Sequence, residues 1–393
     1  MILSGNVLRV AAPALILACG LQAAEFRPWT DVDKRTIEAR MIGLDGDSVM
    51  LELKDGRKVP VPLARLSPAD AEHVRNAGSG TQAADGGTEE PNFTSEWPEQ
   101  IKFTEDPEIR VVEEDAEAKN FVYESANYRY ICDVRLSTSI VKGFAVMFEA
   151  TYLYCRALPL GLDGGDRRDG KLIVRLFENF HNFVNAGGAP DSGGIYQSST
   201  GEVLVPFSSL GVRSLGSGYT LDRNRTSKTL PHELTHQLTP LPYLTGATKG
   251  WFSEGLAEYV ETTPYRAGTF TVRGNIDHFI AYVTAFGKDR KGGRNLGRDI
   301  KLPRLRDFML QPYEAFTANG PLNYGSGLLI TCYFMHMDGD GDAKRLKAML
   351  KAIRDGKDSE EALKVLLDGR SFEELEKEIT KAWRRKGVDF TFG

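Results

Sequence analysis

Two histidines and a glutamate stand close together in one short segment of the chain. Residues 231–237 read Pro-His-Glu-Leu-Thr-His-Gln, which contains the pattern His-Glu-x-x-His at His232, Glu233 and His236. On a helix, residues four apart are separated by about 40° around the axis and one turn along it, so both imidazoles can face one ion. The pattern predicts a metal held by two histidines, with Glu233 beside it as a base.

A third ligand is available in the next predicted helix. Residues 251–259 read Trp-Phe-Ser-Glu-Gly-Leu-Ala-Glu-Tyr, which places Glu254 downstream of the two histidines. Two imidazoles and one carboxylate are a typical ligand set of a catalytic zinc ion, with the fourth position left for water. We therefore expect Zn²⁺ to be bound by His232, His236 and Glu254.

Together, these two segments resemble the gluzincin metallopeptidases, the group that includes thermolysin and aminopeptidase N. The resemblance rests on His-Glu-x-x-His followed by Glu-Gly-x-Ala-x-Tyr around Glu254. It implies a zincin-like domain in which Glu254 is the third zinc ligand and Glu233 activates water to hydrolyse a peptide bond. It also implies that Glu258 hydrogen-bonds a zinc histidine and that Tyr324 holds the oxyanion. A surface role for Glu258 and a core-capping role for Tyr324 stay open.

The type of hydrolysis follows from one departure from the family pattern and one expected hairpin. Aminopeptidase N-like enzymes bind the free amine of their substrate with a Gly-x-Met-Glu-Asn motif. This motif is absent upstream of His232, which disfavours an aminopeptidase. A predicted hairpin over residues 194–206 lies where gluzincins pair an extended substrate, which favours an endopeptidase. Two other functions stay open: a catalytically silent, zinc-bearing binding protein, and a zinc hydrolase of a non-peptide amide or ester.

The elements around these motifs predict an α+β fold. Strands are expected at residues 121–123, 128–132, 171–177, 194–197 and 202–206, and helices at 140–157, 231–238, 251–261, 323–335, 342–354, 359–367 and 371–385. Pro231 lacks an N–H, so the metal helix must begin near Thr229 or be kinked. The basic stretch 288–301 has the composition of a solvated loop. The expected architecture is a mixed sheet followed by a helical half.

A separate small domain precedes this body. Residues 36–42, 48–53 and 58–63 alternate as short strands divided by Asp-Gly turns, which predicts a β-barrel. Residues 26–30 (Phe-Arg-Pro-Trp-Thr) and 66–70 (Leu-Ser-Pro-Ala-Asp) resemble the SH3-like homology domain of Sla-type endocytic adaptors. That resemblance implies a peptide-motif or protein partner, and a plain spacer stays open. We expect the barrel at residues 25–76, a flexible linker at 77–98 and the peptidase domain at 99–393.

The N-terminus and the composition indicate where the protein works. Residues 1–24 combine Arg9, an apolar run and a small-residue end, which is typical of a signal peptide. The residues around Cys19 also resemble a lipobox, so a lipid-anchored form is the alternative.

No later apolar run approaches the roughly 20 residues of a membrane-spanning helix. With 49 basic and 54 acidic residues among 393, the chain has no excess of positive charge for nucleic acid. An exported protein with a polypeptide substrate is expected.

Three cysteines remain after the signal segment. They are Cys132, Cys155 and Cys332, and an odd number cannot all pair within one chain. Export permits a bridge between Cys132 and Cys155, but so few thiols are not a disulfide framework. Buried packing is the expected role of each thiol.

Overall fold

The computed structural model describes residues 26–45, 48–67, 69–71, 74, 90–190, 192–216, 218–222, 229–286 and 292–393. Within those ranges, no helix has both the length and the apolar character that crossing a membrane requires. The predicted signal segment, with Cys19, lies outside the described residues. So do residues 77–89 of the predicted linker.

The N-terminal strands form a four-stranded antiparallel sheet in the order β1-β2-β3-β4. The strands are β1 Arg27–Thr30, β2 Thr36–Asp45, β3 Ser48–Leu53 and β4 Lys58–Pro62, followed by the 3₁₀ turn Leu63–Arg65. Alternation along β3 sends Val49 and Leu51 into a small core with Trp29, as the period of a half-buried strand requires. The expected barrel is not found: among the described residues the sheet is open.

A larger mixed sheet forms the first half of the body. Its order is β11-β12-β10-β8-β7-β6, with β9 beside β10. The strands are β6 Arg110–Asp115, β7 Asn120–Glu124, β8 Tyr128–Cys132, β9 Arg167–Arg168, β10 Lys171–Phe177, β11 Ile195–Gln197 and β12 Glu202–Pro206. Strands β8, β10 and β12 are parallel to one another, while β11 and β12 form the expected antiparallel hairpin.

One long helix covers a face of this sheet. Helix α1, Thr138–Ala157, connects the parallel strands β8 and β10, as a crossover between parallel strands requires. Tyr128 and Tyr130 of β8 meet Phe148 and Phe144 of the helix edge to face, with ring centroids 5.4 and 5.3 Å apart. These aromatic contacts fix the layer on which the helix with the two predicted histidine ligands rests.

Helices dominate the second half of the body. They are α2 Phe180–Asn185, α3 Phe207–Leu210, α4 Thr229–Leu238, α5 Trp251–Thr262, α6 Ile276–Thr284, α7 Leu305–Leu310, α8 Tyr313–Ala318, α9 Gly320–His336, α10 Lys344–Arg354, α11 Ser359–Leu367 and α12 Phe372–Arg384. Small sheets also lie in the body. Two of them are strand pairs: β13 Val212–Leu215 with β14 Gly218–Leu221, and β17 Asp299–Leu302 with β18 Asp389–Phe392. Another has three strands, in which β16 Thr269–Thr271 lies between β15 Tyr265–Arg266 and β5 Gln100–Lys102. The predicted α+β class and the order of sheet and helices are confirmed.

The described end of the predicted linker is attached to the body. Phe93 lies in the main hydrophobic core, and the Asn92 side chain donates a hydrogen bond to the Arg156 carbonyl at 3.1 Å. A phenylalanine buried in this way anchors the backbone around it. From residue 90 onward, the chain therefore belongs structurally to the body.

The three cysteines of the body carry free thiols. Cys132, Cys155 and Cys332 are all buried and none forms a disulfide. Burial raises the pKa of the Cys155 thiol to about 12, which keeps it protonated and unreactive. Their role is packing, as the sequence indicated.

Candidate metal centre

The first part of the site lies on helix α4. The structure describes this helix from Thr229 to Leu238, and Pro231 is the third of these residues. One helical stripe, Leu230, Leu234 and Leu238, is fully buried in the core. His232 and His236 occupy a second stripe, and their ring centroids lie 4.8 Å apart.

The Gln237 side chain anchors this helix to the sheet. The Gln237 carboxamide is fully buried and donates hydrogen bonds to the carbonyls of Ile173 in β10, at 3.0 Å, and of Gly201 before β12, at 2.9 Å. Both acceptors belong to the sheet half of the body. Since Gln237 follows His236 directly, these bonds set the position of the second histidine.

Helix α5 supplies the third residue. Glu254 Oε2 lies 3.2 Å from His232 Nε2 and 3.3 Å from His236 Nε2. The side chains of the three residues are only 4–12% exposed. Although burial opposes it, the two imidazoles hold the pKa of the Glu254 carboxyl well below its usual range. The three predicted ligand atoms therefore converge from two helices.

The distances between the predicted ligand atoms can be compared with those of a tetrahedral zinc site. Zinc bonds of about 2.0–2.2 Å in a tetrahedron place neighbouring ligand atoms about 3.3–3.6 Å apart. Of the two distances from Glu254 Oε2 to the imidazole nitrogens, 3.3 Å lies at the lower end of that range and 3.2 Å lies just below it. Two nitrogens and one carboxylate oxygen are also a donor set that zinc accepts. The residues present fit the ion.

Glu233 points toward the edge strand of the large sheet. Its Oε2 accepts a hydrogen bond from the backbone N–H of Tyr196 in β11 at 2.8 Å. A Cβ at Gly194, just before that strand, would lie 3.5 Å from Glu233 Cγ, so the backbone passes close to the carboxylate. Burial raises the pKa of Glu233 even though the two histidines oppose the rise.

A tyrosine that the sequence did not single out holds the third predicted ligand. The Tyr313 hydroxyl, at the start of α8, donates a hydrogen bond to Glu254 Oε1 at 2.7 Å. Burial and the charge of Glu254 raise the pKa of Tyr313 well above its usual range, so the phenol remains a donor. Lys249 Nζ lies 4.9 Å from the centre of the Tyr313 ring.

The other ring nitrogen of His232 faces two more carboxylates. Nδ1 is buried, lies 3.1 Å from Glu261 Oε2 and 3.6 Å from Glu258 Oε1, and has no hydrogen bond among the described residues. Glu258, the predicted partner of a zinc histidine, instead accepts two hydrogen bonds from the Arg294 guanidinium. Glu261, one turn further along α5, is the nearer carboxylate and was not predicted.

The charges of the cluster also favour a bound cation. Glu254, Glu258 and Glu261 lie around the His232 ring, and the charge of Glu254 also acts on the nearby carboxylate of Glu233. Arg294 forms an ion pair with one of these four carboxylates, that of Glu258. Buried carboxylates without enough positive charge are costly. A divalent ion between the imidazoles and Glu254 would offset much of this charge.

Tyr324 lies beside the cluster at the start of α9. Its ring is stacked on His232 with centroids 6.3 Å apart, and the guanidinium carbon of Arg294 lies 5.0 Å from its centre. The described side chain is partly buried. This position places the predicted oxyanion donor against a predicted metal ligand.

Comparison with protein families concerns the N-terminal sheet. Residues 21–81 match SLA1 homology domain 1, SHD1. This finding supports the resemblance drawn from residues 26–30 and 66–70. No curated protein matches the chain.

Glu261, Tyr313 and Arg294 were not predicted from the sequence as part of the site. They differ in whether the sequence carries a signal for them. Glu261 follows Glu254 by two helical turns, so helical periodicity could have placed it on the same face. Tyr313 and Arg294 lie in other elements, and nothing in their own segments marks them. Arg294 belongs to the stretch interpreted as a solvated loop, yet its backbone N–H bonds to the Tyr282 carbonyl at 2.8 Å.

Proposed function

We propose that this protein is an exported zinc-dependent peptidase that hydrolyses internal peptide bonds, with a gluzincin-like body. The observation that carries the proposal is the convergence of His232 Nε2, His236 Nε2 and Glu254 Oε2, with Glu233 next to them on the same helix. Zinc held there would polarise a substrate carbonyl and acidify a water molecule.

Glu233 is the residue that moves the proton. The Tyr196 N–H holds its Oε2, which leaves the other carboxylate oxygen to accept a proton from water. The same carboxyl then delivers that proton to the departing amine. Burial, which raises the pKa of Glu233, suits both steps because it strengthens the base and eases protonation.

The edge strand supports a polypeptide substrate. Strand β11 lies at the end of the large sheet, and β12 is its neighbour in the sheet order. An extended chain added along the free side of β11 would pass Glu233, because the Tyr196 N–H reaches that carboxylate. Tyr324, against His232, is the side chain we assign to the developing oxyanion.

The remaining parts of the proposal rest on the N-terminal segments. Residues 1–24 support export, with lipid anchoring through Cys19 as the alternative. The match of residues 21–81 to SHD1 supports a module that docks a peptide motif or a protein partner. Docking would bring partners or substrates to the peptidase body.

The test is cleavage of a peptide library by the full mature chain and by Glu233→Gln. We expect the variant to keep its zinc and to lose at least about 100-fold in kcat/KM, because a general base contributes that much or more. Glu149→Gln is the matched control, since Glu149 is a buried glutamate that accepts its hydrogen bonds from Asn127, outside the site. A Glu233→Gln chain that cleaves at the wild-type rate would contradict the assignment of the base.

The same assay separates the two other functions. Zinc-loaded wild-type protein that cleaves no peptide, with or without a chelator, would indicate a binding protein. Chelator-sensitive hydrolysis of small esters or amides without peptide cleavage would indicate a non-peptide hydrolase. Either outcome would replace the proposed function.

A further inference from the structure

The two oxygens of Glu254 have different surroundings. Oε2 faces both imidazoles, at 3.2 and 3.3 Å, while Oε1 accepts the hydrogen bond from the Tyr313 hydroxyl at 2.7 Å. A carboxylate ligand can otherwise rotate about its last bond and offer either oxygen. The hydrogen bond at Oε1 selects Oε2 as the oxygen presented to the histidines.

Tyr313 is itself held from two sides. It begins helix α8, directly after Pro312, whose ring restricts the backbone there. Lys249, which lies just before α5, places its ammonium 4.9 Å from the ring centre, within the range of a cation–π contact. The hydroxyl therefore reaches Glu254 from a fixed ring, across 59 positions of the chain.

We propose that Tyr313 is a positioning residue for the zinc site, which orients Glu254 for metal binding through the bond to Oε1. This inference rests on the proposed function, because it assumes that Glu254 is a ligand. It adds a residue from a third helix, α8, to a site whose predicted ligands all come from α4 and α5. Metal affinity then depends on how α8 packs against α5.

The experiment measures zinc affinity in Tyr313→Phe by competition with a chromophoric chelator. Removing a residue that orients a metal ligand typically weakens metal binding 10–100-fold, so we expect at least a tenfold loss. The visible absorption of the Co²⁺-loaded protein, which reports ligand geometry, should also shift. Tyr219→Phe is the matched control, because its hydroxyl donates to Glu178 outside the cluster, and it should match the wild type in both measurements.

Each result decides a different point. Wild-type zinc affinity and an unchanged Co²⁺ spectrum in Tyr313→Phe would overturn the role of Tyr313. A wild-type chain that binds no zinc would instead overturn the proposed function. If the phenylalanine variant does not fold, Lys249→Met replaces it, since it frees the ring and keeps the hydroxyl. We expect about a threefold loss of affinity there, and an unchanged affinity would overturn the inference.

Discussion

Glu254 is the residue on which the site is built. Its two oxygens join three elements, because Oε2 faces the histidines of α4 and Oε1 binds Tyr313 of α8, while the residue itself belongs to α5. A buried carboxylate gains most from partners that satisfy both oxygens. Loss of any one partner should therefore affect the metal more than the fold.

A second residue-scale prediction concerns acid stability. Burial, together with nearby Arg273, lowers the pKa of His336 to about 4 in the folded chain, against about 6.5 when unfolded. Between these two pH values His336 is protonated in the unfolded chain and neutral in the folded chain. The stability that the neutral, buried His336 contributes is therefore complete above pH 6.5 and is lost as the pH falls toward 4. It amounts to roughly 3 kcal/mol.

His336→Gln should therefore flatten the stability profile between pH 4.5 and pH 7. The measurement is the free energy of unfolding in urea at several pH values. His181→Gln, at an exposed position of α2, is the control and should keep the wild-type slope. Equal slopes in His336→Gln and the wild type would contradict the effect of burial on His336.

At the residue scale, the sequence predicted site residues where side chains that can bind a metal recur at helical spacing. The positions four apart at His232 and His236 required only one regular helix, and Glu254 required a second one nearby. Tyr313 and Arg294 depend instead on how distant segments pack, which no local spacing encodes. Even Glu258, predicted as the partner of a histidine, accepts its hydrogen bonds from Arg294, because that distant segment folds back over it.

At the scale of elements, the close crossing of α5 and α9 places Glu254. A Cβ at Gly255 would lie 2.4 Å from both the Gly327 carbonyl oxygen and Thr331 Oγ1, so only glycine fits there. Gly255 follows Glu254 directly. The depth at which α5 packs therefore sets the position of the carboxylate.

Gly255→Ala should destabilise the fold and weaken the site together. Forcing the two helices apart should cost on the order of 3 kcal/mol, as overpacking does in a tight interface. The readout is the urea midpoint of the zinc-free chain. Gly218→Ala, where a Cβ meets no atom within 4 Å, is the control. A Gly255→Ala chain as stable as that control would contradict the tight crossing.

The sequence predicted the positions of individual strands and helices better than it predicted how they pack together. The periodic segments at 171–177, 202–206 and 359–367 match Lys171–Phe177, Glu202–Pro206 and Ser359–Leu367. The predicted N-terminal barrel is an open sheet in the part of the chain that the structure describes, because alternation marks a strand and its buried face, whereas closure depends on pairing between the first and last strands. That pairing has no signal within either strand.

At the scale of the whole molecule, the site lies at the junction of two halves. Helix α4 is tied to the sheet through Gln237, and α5 is packed into the helical half through Gly255 and α9. An ion shared by the ligands of α4 and α5 would cross-link the halves. Binding of metal should therefore stabilise the body as well as equip it for catalysis.

The most direct test of this account is the zinc content of the purified protein, measured by elemental analysis against protein concentration. We predict about one zinc per wild-type chain. His236→Ala should carry far less, because it removes one of the three ligands. A wild-type chain that holds no zinc after incubation with the ion and gel filtration, or a His236→Ala chain that holds as much as the wild type, would contradict the proposed centre.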